Sequence, residues 1–310
     1  MKKNEKILIL GSSGLVGSAL LRKLKFVGYK NLLYPSRKEL NLFDYKNILK
    51  YLKNKKPKYI FLAAAFVGGV KANNEKRAEF ISKNILIQYN VIHSAYLCGV
   101  KNLLFIGSSC VYPNKFKKPI SEEKLLSGYL EQTNEPFAVS KIAGIKMCES
   151  YSRQYNLNYF TLMPCNIYGP GDNYDLNTSH FLPAILRKVH RIKIKKSNKL
   201  KLWGNGKTKR EVLFSDDFAD ACVYFMKKKH NKHLINVGSN EEFTIDQFAR
   251  KVLNYLNVKS KIVYNNKLSG TNRKKLDISL AEKLGWRPKT SLKEGLQKTY
   301  SEDYKQINAV

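Results

Sequence analysis

Three glycines at a regular spacing follow the first apolar segment of the chain. They come after the run Ile7 to Leu10 and open a segment with a helical pattern. In such a turn the first glycine permits a tight bend, the second lets a pyrophosphate approach the amides at the helix N-terminus, and the third allows close helix packing. An incidental glycine-rich turn is disfavoured, because a strand and a helix flank the pattern. We predict a dinucleotide-binding loop of Gly11, Ser12, Ser13, Gly14, Leu15, Val16 and Gly17.

The residues after the second predicted strand bear on the choice of dinucleotide. An NAD-specific site places an acid there, which accepts hydrogen bonds from the adenosine ribose. This chain instead has Ser36 and Arg37. A guanidinium group offers a rigid fork of donors that suits a 2′-phosphate, so the pair favours NADP(H). An exposed arginine after a strand is also common by chance.

Further candidate residues follow the third and fourth predicted strands. The third strand runs into Ala63, Ala64 and Ala65, and the fourth runs into Ser108 and Cys110. Ligands of open parallel sheets bind at the carboxyl ends of the strands, so we expect these segments to line one site. In a later helical pattern Phe137 and Lys141 are four residues apart, which places both side chains on one helix face.

The elements that must position these residues alternate along the first half of the chain. Short apolar runs such as KILIL, YIFLAAA and NLLFIGSS are separated by longer helical patterns, and YFTLMPCNIYG is predicted as another buried strand. This alternation predicts an α/β fold, a Rossmann-type doubly wound parallel sheet with a smaller C-terminal α/β lobe for the substrate. We place the dinucleotide-binding domain at 1–168, with a returning segment near 212–238, and the second lobe at 169–310.

Composition excludes several classes of protein. The 310 residues contain no apolar run long enough to span a bilayer, and the five cysteines form no C-x-x-C pair. A cytoplasmic protein with no disulfide framework, no metal and no membrane partner is expected. The formal net charge of +32 suggests nucleic-acid binding, but the lysines are spread over most surface segments without interleaved aromatic residues. We therefore expect no specific nucleic-acid partner.

The motifs in their order along the chain resemble a known family. The segments NEPFAVSKIAGIK, MPCNIYGP and WGNGKTKREVLFSDD, with a TSH triplet before a helix, are similar to the GDP-L-fucose synthases of the extended short-chain dehydrogenase/reductase family. The similarity covers essentially the entire chain. It implies a homodimeric, two-lobed enzyme that epimerises C3 and C5 of a GDP-linked 4-keto-6-deoxy sugar and then reduces C4 with NADPH.

The resemblance also assigns roles at the reducing site. In the family a serine, a tyrosine and a lysine act on the C4 oxygen, with the phenol as proton donor. Ser108 and Lys141 match the serine and the lysine, but the tyrosine position is Phe137. Because a phenyl ring has no proton to donate, we expect hydride transfer to be impaired.

Three interpretations of Phe137 remain open. The chain is an engineered inactive form, a natural paralogue with another proton donor, or a family member that retains only epimerisation. The first is favoured because deletion of one oxygen preserves shape and the rest of the site is intact. The alternative function is thus an epimerase-only or non-catalytic protein that binds a nucleotide sugar or another anion.

The family's remaining site residues map onto this chain one by one. Cys110 and His180 match the acid and base of the epimerisation, although alone each suggests a buried thiol and a helix-capping histidine. Lys141, Pro164, Asn166 and His180 complete the cofactor site. The substrate-binding positions are Ser108, Asn166, Lys188, Trp203, Arg210 and Lys274. A lysine or arginine on such a basic surface is ordinarily only solvated.

Two further alternatives concern the reaction. Nucleotide-sugar 4,6-dehydratases resemble this chain but carry acids where it has Ser108-Ser109-Cys110, so elimination of water is disfavoured. A GDP-linked 4-keto-heptose shares the C3-to-C5 chemistry with a 6-deoxyhexose. The sequence therefore leaves the sugar open.

Overall fold

The computed structural model describes residues 1–116, 118–265 and 273–309. Short 3₁₀ turns lie at Ser109–Val111 and Glu122–Lys124. The helices are α1 (Leu15–Phe26), α2 (Tyr45–Lys55), α3 (Val70–Glu75), α4 (Arg77–Leu97), α5 (Glu135–Tyr155), α6 (Phe181–Lys195), α7 (Ser215–Lys227), α8 (Ile245–Tyr255), α9 (Ser279–Lys283), α10 (Leu292–Glu302) and α11 (Tyr304–Ala309). The strands are β1 (Ile7–Leu10), β2 (Leu32–Leu33), β3 (Tyr59–Leu62), β4 (Asn102–Ile106), β5 (Asn158–Pro164), β6 (Asn166–Tyr168), β7 (Lys199–Trp203), β8 (Lys209–Phe214), β9 (Leu234–Val237), β10 (Glu242–Thr244), β11 (Lys261–Asn265) and β12 (Arg273–Lys274).

A six-stranded parallel sheet forms the centre of the first half, in the order β2-β1-β3-β4-β5-β9. This confirms the predicted Rossmann-type fold. The chain leaves β1 toward β2 on one side, and β3 lies on its other side, so the strand order reverses between β1 and β3. Such a reversal opens a crevice at the carboxyl ends of the strands, where ligands of these sheets bind.

The central strands are apolar throughout because helices cover both faces of the sheet. Every residue of β1 and β3 is buried. Helices α2, α4 and α5 pack side by side as one layer, and α1 packs on α7. The resulting core has fully buried aromatic side chains, among them Phe61, Phe105 and Phe160.

The segment YFTLMPCNIYG differs from the single strand that the sequence predicts. It forms two strands, because the chain changes sheets at Cys165. Strand β5 pairs with β9 in the first sheet as far as Pro164, whereas β6 pairs with β8 from Asn166 onward. The apolar pattern is continuous over both strands, so it does not report the change of partner.

A second, smaller sheet is built around β8, which pairs antiparallel with β10 and parallel with β12 and β6. Strands β7 and β11 form a separate parallel pair. Buried side chains of α6, α8 and α10 pack with these strands in a second core that includes Leu186, Leu200 and Phe248.

The chain crosses between the two sheets several times. Strand β6 lies before residue 169 but pairs in the second sheet, and α7 and β9 return to the first sheet from the region 212–238. The division into lobes of 1–168 and 169–310 stays a prediction, and residues 266–272 and 310 of the second lobe lie outside the described residues. These crossings tie the two sheets together at the crevice.

The carboxyl group of Glu211 on β8 also holds distant segments together, by hydrogen bonds. It is fully buried, and its two oxygens accept hydrogen bonds from the backbone N–H of Asn240 and of Leu276, both at 2.9 Å. The side chain therefore joins β8 to the loop after β9 and to the segment after β12. Burial raises the pKa of Glu211 from 4.5 to about 7, against the effect of these donors.

Within the described ranges no helix is both long and apolar enough to cross a bilayer. The same residues contain no group of three or more His, Cys, Asp or Glu side chains placed to hold a metal ion. All five cysteines are free thiols.

The raised pKa of Glu211 predicts a pH-dependent stability. Ionisation of the buried carboxyl is unfavourable in the folded state, so the folded protein loses stability relative to the unfolded chain as pH rises from about 4.5 to about 7. The loss reaches up to about 3 kcal/mol above pH 7. Denaturant unfolding of wild type and of Glu211→Gln between pH 5 and 8 measures this loss. The glutamine cannot ionise, so any stability lost with its hydrogen-bond acceptor is the same at every pH, and only wild type should lose stability as pH rises. Parallel pH profiles for the two proteins, with Glu302→Gln as an exposed control, would contradict this assignment.

Candidate active site

The glycine loop connects β1 to α1 with the geometry that the sequence predicts. Gly11 has φ of +88°, and a Cβ on it would lie 2.7 Å from the backbone nitrogen of Ala64. A Cβ on Gly17 would lie 2.0 Å from the carbonyl oxygen of Gly11. A Cβ on Gly14 would meet that same oxygen only at 3.5 Å, an ordinary contact. Protein packing thus requires glycine at 11 and 17, and the space at Gly14 faces outward.

This loop fits a dinucleotide phosphate. The first turn of α1 is uncharged, and Gly14, which directly precedes the helix, is exposed, so the unbonded N–H groups of that turn point to open space. Positive potential at a helix N-terminus attracts an anion. Ser12 and Ser13 lie in the same turn, with Ser13 exposed.

Ser36 and Arg37 lie just beyond β2, where an adenosine ribose would reach in this fold. Both are exposed. Ser36 and Glu39 form a reciprocal pair, in which the N–H of Ser36 donates to Glu39 Oε2 at 2.7 Å and the N–H of Glu39 donates to Ser36 Oγ at 3.3 Å. This local turn fixes the backbone on both sides of Arg37.

The loop after β3 passes under the glycine loop. Ala63 and Ala64 contact Gly11, and Ala65 continues the same edge. Asn84 on α4 holds the next residue: its Oδ1 accepts the N–H of Phe66 and its Nδ2 donates to the carbonyl oxygen of Phe66, both at 2.9 Å. The loop is therefore set by a fully buried amide side chain from a different element.

Lys141 is the buried cation of the site. Its side chain is 3 % exposed, and Nζ donates to the carbonyl oxygen of Ile106 at the end of β4, at 2.9 Å. Nζ also lies 4.6 Å from the centre of the Phe105 ring. Burial lowers the pKa of Lys141 to about 8, while nearby Cys110 favours the charged form. The ammonium is thus protonated at neutral pH.

Phe137 lies one helical turn before Lys141 and faces the same side of α5. The centre of its ring is 5.7 Å from Lys141 Nζ, and it packs edge-on against Phe80 at 6.1 Å. The ring is half-buried. The fold therefore places Phe137 and Lys141 together as predicted by their spacing.

Ser108 and Cys110 follow β4 in a short 3₁₀ turn. The hydroxyl oxygen of Ser108 accepts the N–H of Cys110 at 3.5 Å. Burial raises the pKa of the Cys110 thiol, and Lys274, Ser108 and Lys141 act in the opposite direction. A thiol between two cations can release its proton more easily than burial alone would allow.

His180 precedes α6 and is exposed, yet the surrounding protein lowers its pKa by desolvation. The neutral imidazole is favoured, which suits a base. The loop before it contacts the turn after β3, since the N–H of Gly69 donates to the carbonyl oxygen of Thr178 at 3.0 Å. This contact brings His180 to the edge of the sheet that carries Ala63 to Ala65.

Two cations of the second sheet face the first. Arg210 on β8 and Lys274 on β12 are register partners in adjacent strands. Burial lowers the pKa of Arg210 to about 10 and also lowers the pKa of Lys274, while the carboxylate of Glu131 acts against both shifts. Lys274 in turn affects Cys110, so these two strands reach the residues after β4.

The other predicted substrate residues lie in two places. Lys188 Nζ is 5.7 Å from the Trp203 ring and donates to the carbonyl oxygen of Lys201 at 3.0 Å, and Trp203 is 53 % exposed. Asn166 lies elsewhere, after the buried Pro164, and its Nδ2 donates to the carbonyl oxygen of Glu211 at 3.0 Å. Lys188 and Trp203 thus form a cation–aromatic pair on the second lobe.

A cavity of about 1030 Å³ lies near the candidate site. It is lined by residues at the N-terminal ends of α4 and α5 and in the loop after Cys110. Its walls include Asn74, Arg77, Asn114, Lys124, Tyr129 and Glu135. None of the predicted catalytic residues belongs to these walls. The predicted catalytic residues lie outside this cavity, at or beside the strand ends.

Sequence reasoning missed three residues that shape the site. Asn84 holds the loop after β3, Glu131 faces the cations of the second sheet, and Glu211 ties that sheet together. The acidic residue directly before the apolar run VLF of β8, next to two basic residues, was an available signal for Glu211. Asn84 and Glu131 had none, because their partners are distant in sequence.

The glycine geometry predicts different effects at two positions. Gly17→Ala places a methyl group against backbone, so it should cost about 2 kcal/mol or more of stability. Gly14→Ala should melt like wild type but bind NADPH at least about 10-fold more weakly, because the methyl group fills the space of the pyrophosphate. Thermal melting and fluorescence titration measure the two effects. NADPH binding by Gly14→Ala at wild-type affinity would show that Gly14 does not face the cofactor.

Comparisons with known proteins agree with this geometry. The model of the NAD dependent epimerase/dehydratase family matches residues 7–238. A putative GDP-L-fucose synthase 2 from Arabidopsis thaliana is 46 % identical over 301 residues, covering 97 % of this chain and 92 % of that protein.

Solved structures are similar over nearly the whole chain. A GDP-6-OMe-4-keto-L-xylo-heptose reductase from C. jejuni superposes with a TM-score of 0.91 at 36 % identity, covering 99 % of each chain. A GDP-mannoheptose C4 reductase from Campylobacter jejuni, with NADP bound, has a TM-score of 0.89 at 36 % identity, covering 98 % of this chain and 99 % of that one. With its glycine loop, its buried lysine and its similarity to GDP-L-fucose synthases, the chain belongs to the NAD dependent epimerase/dehydratase family.

Proposed function

We propose that this protein binds NADP(H) and a GDP-linked 4-keto sugar, epimerises the sugar at C3 and C5, and reduces C4 slowly. The observation that carries the proposal is the meeting of Ser108, Cys110 and Lys141 at the carboxyl edge of the first sheet, opposite Arg210 and Lys274 of the second sheet. The first group suits carbonyl chemistry, and the two cations suit a diphosphate.

Each part of the ligand has residues of matching chemistry. The amides at the start of α1 suit the cofactor pyrophosphate, and Ser36 and Arg37 suit its 2′-phosphate. Pro164, the last residue of β5, and Asn166, the first of β6, lie at the strand end where the nicotinamide would rest. Lys188 and Trp203 provide a charged and an aromatic surface for the nucleotide. By name, the relatives include a putative GDP-L-fucose synthase and a reductase of a GDP-linked heptose. A GDP-linked 6-deoxyhexose and a GDP-linked heptose are therefore both candidate substrates here.

The proton transfers at C3 and C5 are assigned to Cys110 and His180. The ketone at C4 acidifies the hydrogens on the two neighbouring carbons, so removal and return of each proton needs a base and an acid. The neutral imidazole of His180 can accept a proton, and the thiol of Cys110 can deliver one, from different elements of the fold.

For the reduction, bound NADPH supplies a hydride to C4. The hydroxyl of Ser108 donates a hydrogen bond to the C4 oxygen, and the ammonium of Lys141 stabilises the negative charge that develops there. Phe137 occupies the place from which a phenol would deliver the proton and has none to give. The alkoxide formed at C4 therefore takes its proton from water, and reduction is slower than it would be with a phenol at position 137, since a general acid contributes about 10² to 10⁴ in rate.

The free thiols fit a reducing compartment, and we place the protein in the cytoplasm on that ground.

Restoring the phenol tests the assignment of the site. Phe137→Tyr should raise the rate of single-turnover NADPH oxidation with GDP-4-keto-6-deoxymannose by about 10² or more. Affinity for NADPH should not change, because binding depends on the glycine loop and on Arg37. Stopped-flow absorbance measures the hydride step and calorimetry measures the affinity.

Exchange of solvent deuterium into C3 and C5 serves as the internal control, because it depends on Cys110 and His180. It should proceed equally in both forms and stop in Cys110→Ser and His180→Gln. Equal NADPH oxidation by wild type and Phe137→Tyr would mean that another residue is the proton donor. Absence of exchange in the wild-type protein would exclude the epimerase.

We also propose that a second copy of the chain covers α4 and α5. Helix α4 is apolar on both sides: Ile87 and Val91 face the core, whereas Ile85, Leu86 and Tyr89 are each at least 40 % exposed. Val139 and Tyr155 extend the exposed apolar face onto α5. A second copy brings the same apolar face, so a two-fold contact buries both at once.

Charge on this face should separate the copies. The double substitution Leu86→Glu and Tyr89→Glu should convert a dimer of about 71 kDa, twice the 35.7 kDa chain, to a monomer in sedimentation. Phe26→Glu, at a residue 88 % exposed on α1, is the matched control and should leave the mass unchanged. A wild-type monomer at micromolar concentration would refute the proposal.

A further inference from the structure

Two side-chain oxygen atoms in the segments next to His180 are buried without a hydrogen-bond partner among the residues that the structure describes. Asn73 is 5 % exposed, and its amide nitrogen donates to the carbonyl oxygens of Gly68 at 2.7 Å and Gly69 at 3.1 Å. Its Oδ1 is buried and unpaired. The hydroxyl oxygen of Ser179 is likewise buried and unpaired.

The two side chains flank one backbone position. Asn73 is bonded to Gly69, and a Cβ on Gly69 would lie 3.0 Å from the carbonyl oxygen of Ser179. Ser179 directly precedes His180 in the chain. The turn after β3 and the loop before α6 therefore bring Asn73 and Ser179, the residues that carry the two unpaired atoms, together at Gly69.

Unpaired buried polar atoms are rare in folded proteins, because they lose their hydrogen bonds to water without replacement. Two such atoms, in residues that meet at Gly69 next to His180, point to a ligand that supplies the missing partners. The pair is neutral: an amide oxygen that only accepts, and a hydroxyl that can donate or accept. Such a pair suits a hydroxyl group, and it does not suit a phosphate, which needs donors and positive charge.

We propose that Asn73 and Ser179 bind the C3 hydroxyl of the sugar ring. This inference rests on the proposed function, in which His180 acts at C3 and C5. Of these two carbons only C3 carries a hydroxyl in a 4-keto-6-deoxy sugar, so a hydroxyl-binding pair next to His180 falls at C3. The hydroxyl donates to Asn73 Oδ1 and accepts from Ser179 Oγ. The pair thereby orients the C3 hydrogen and selects sugars that have this hydroxyl.

Calorimetric titration in the presence of NADP⁺ tests the proposal without turnover. The ligands are GDP, GDP-4-keto-6-deoxymannose and GDP-4-keto-3,6-dideoxymannose, which lacks only the C3 hydroxyl. Ser179→Ala should weaken binding of the hydroxylated sugar about 10-fold and change binding of the 3-deoxy sugar and of GDP by less than about 2-fold. Asn73→Ala should reduce the same preference, expressed as the ratio of the two sugar affinities.

Two further variants separate recognition from packing. Ser179→Thr keeps the hydroxyl and should retain most of the preference. Ser260→Ala removes another buried, unpaired hydroxyl, which precedes β11 at the end of the β7–β11 pair opposite Trp203, and should leave all three affinities unchanged. The melting temperature of ligand-free Ser179→Ala should not fall, because the serine has no protein partner to lose.

The outcomes are distinct. If wild-type protein does not bind GDP, the proposed function fails, and this proposal fails with it. If GDP binds but Ser179→Ala changes neither sugar, or weakens both sugars equally, the C3 subsite alone is overturned. A lower melting temperature of ligand-free Ser179→Ala would show that the hydroxyl has a structural partner, which also overturns it.

Discussion

The hydrogen bond from Lys141 to the carbonyl oxygen of Ile106 holds a positive charge inside the first core. A buried ammonium is costly, so α5 can present it only where a carbonyl group and aromatic faces compensate the lost water. The end of β4 and the ring of Phe105 meet that requirement. The bond fixes Lys141 at the end of β4, and Phe137, one helical turn earlier on α5, lies beside it.

The same bond places the charge beside Cys110, on the turn that follows β4. Lys274 approaches that thiol from the second sheet, so residues of the two sheets act on the same group. Buried polar contacts hold the segments that surround this site. Glu211 joins three segments of the second lobe, and Asn84 holds the loop that runs beneath the glycine turn. Chemistry at this site therefore depends on polar groups within the cores as well as on the residues that contact ligand.

Phe137 keeps the aromatic packing of its position but lacks the hydroxyl group that would donate a proton in the proposed reduction. The ring packs against Phe80 and faces Lys141, as an aromatic residue at this position should. In the proposed reduction the missing oxygen removes a proton donor, while the neighbouring Ser108, Cys110 and Lys141 keep their contacts. The two half-reactions of the proposed function use different side chains, so the loss of one acid weakens reduction and leaves proton exchange at C3 and C5 in place.

The amino-acid sequence alone determined the Rossmann-type sheet, the glycine loop and the phenylalanine at the tyrosine position. Each is a local pattern: buried parallel strands are apolar runs, a phosphate turn needs glycines at fixed spacing, and four residues make one helical turn. Only the tertiary structure decided that the chain changes sheets at Cys165, that Asn84 and Glu211 brace the site, and that Asn73 and Ser179 meet beside Gly69. Those features depend on pairs of residues far apart in the chain, and no local pattern encodes which distant backbone groups a buried polar side chain will contact.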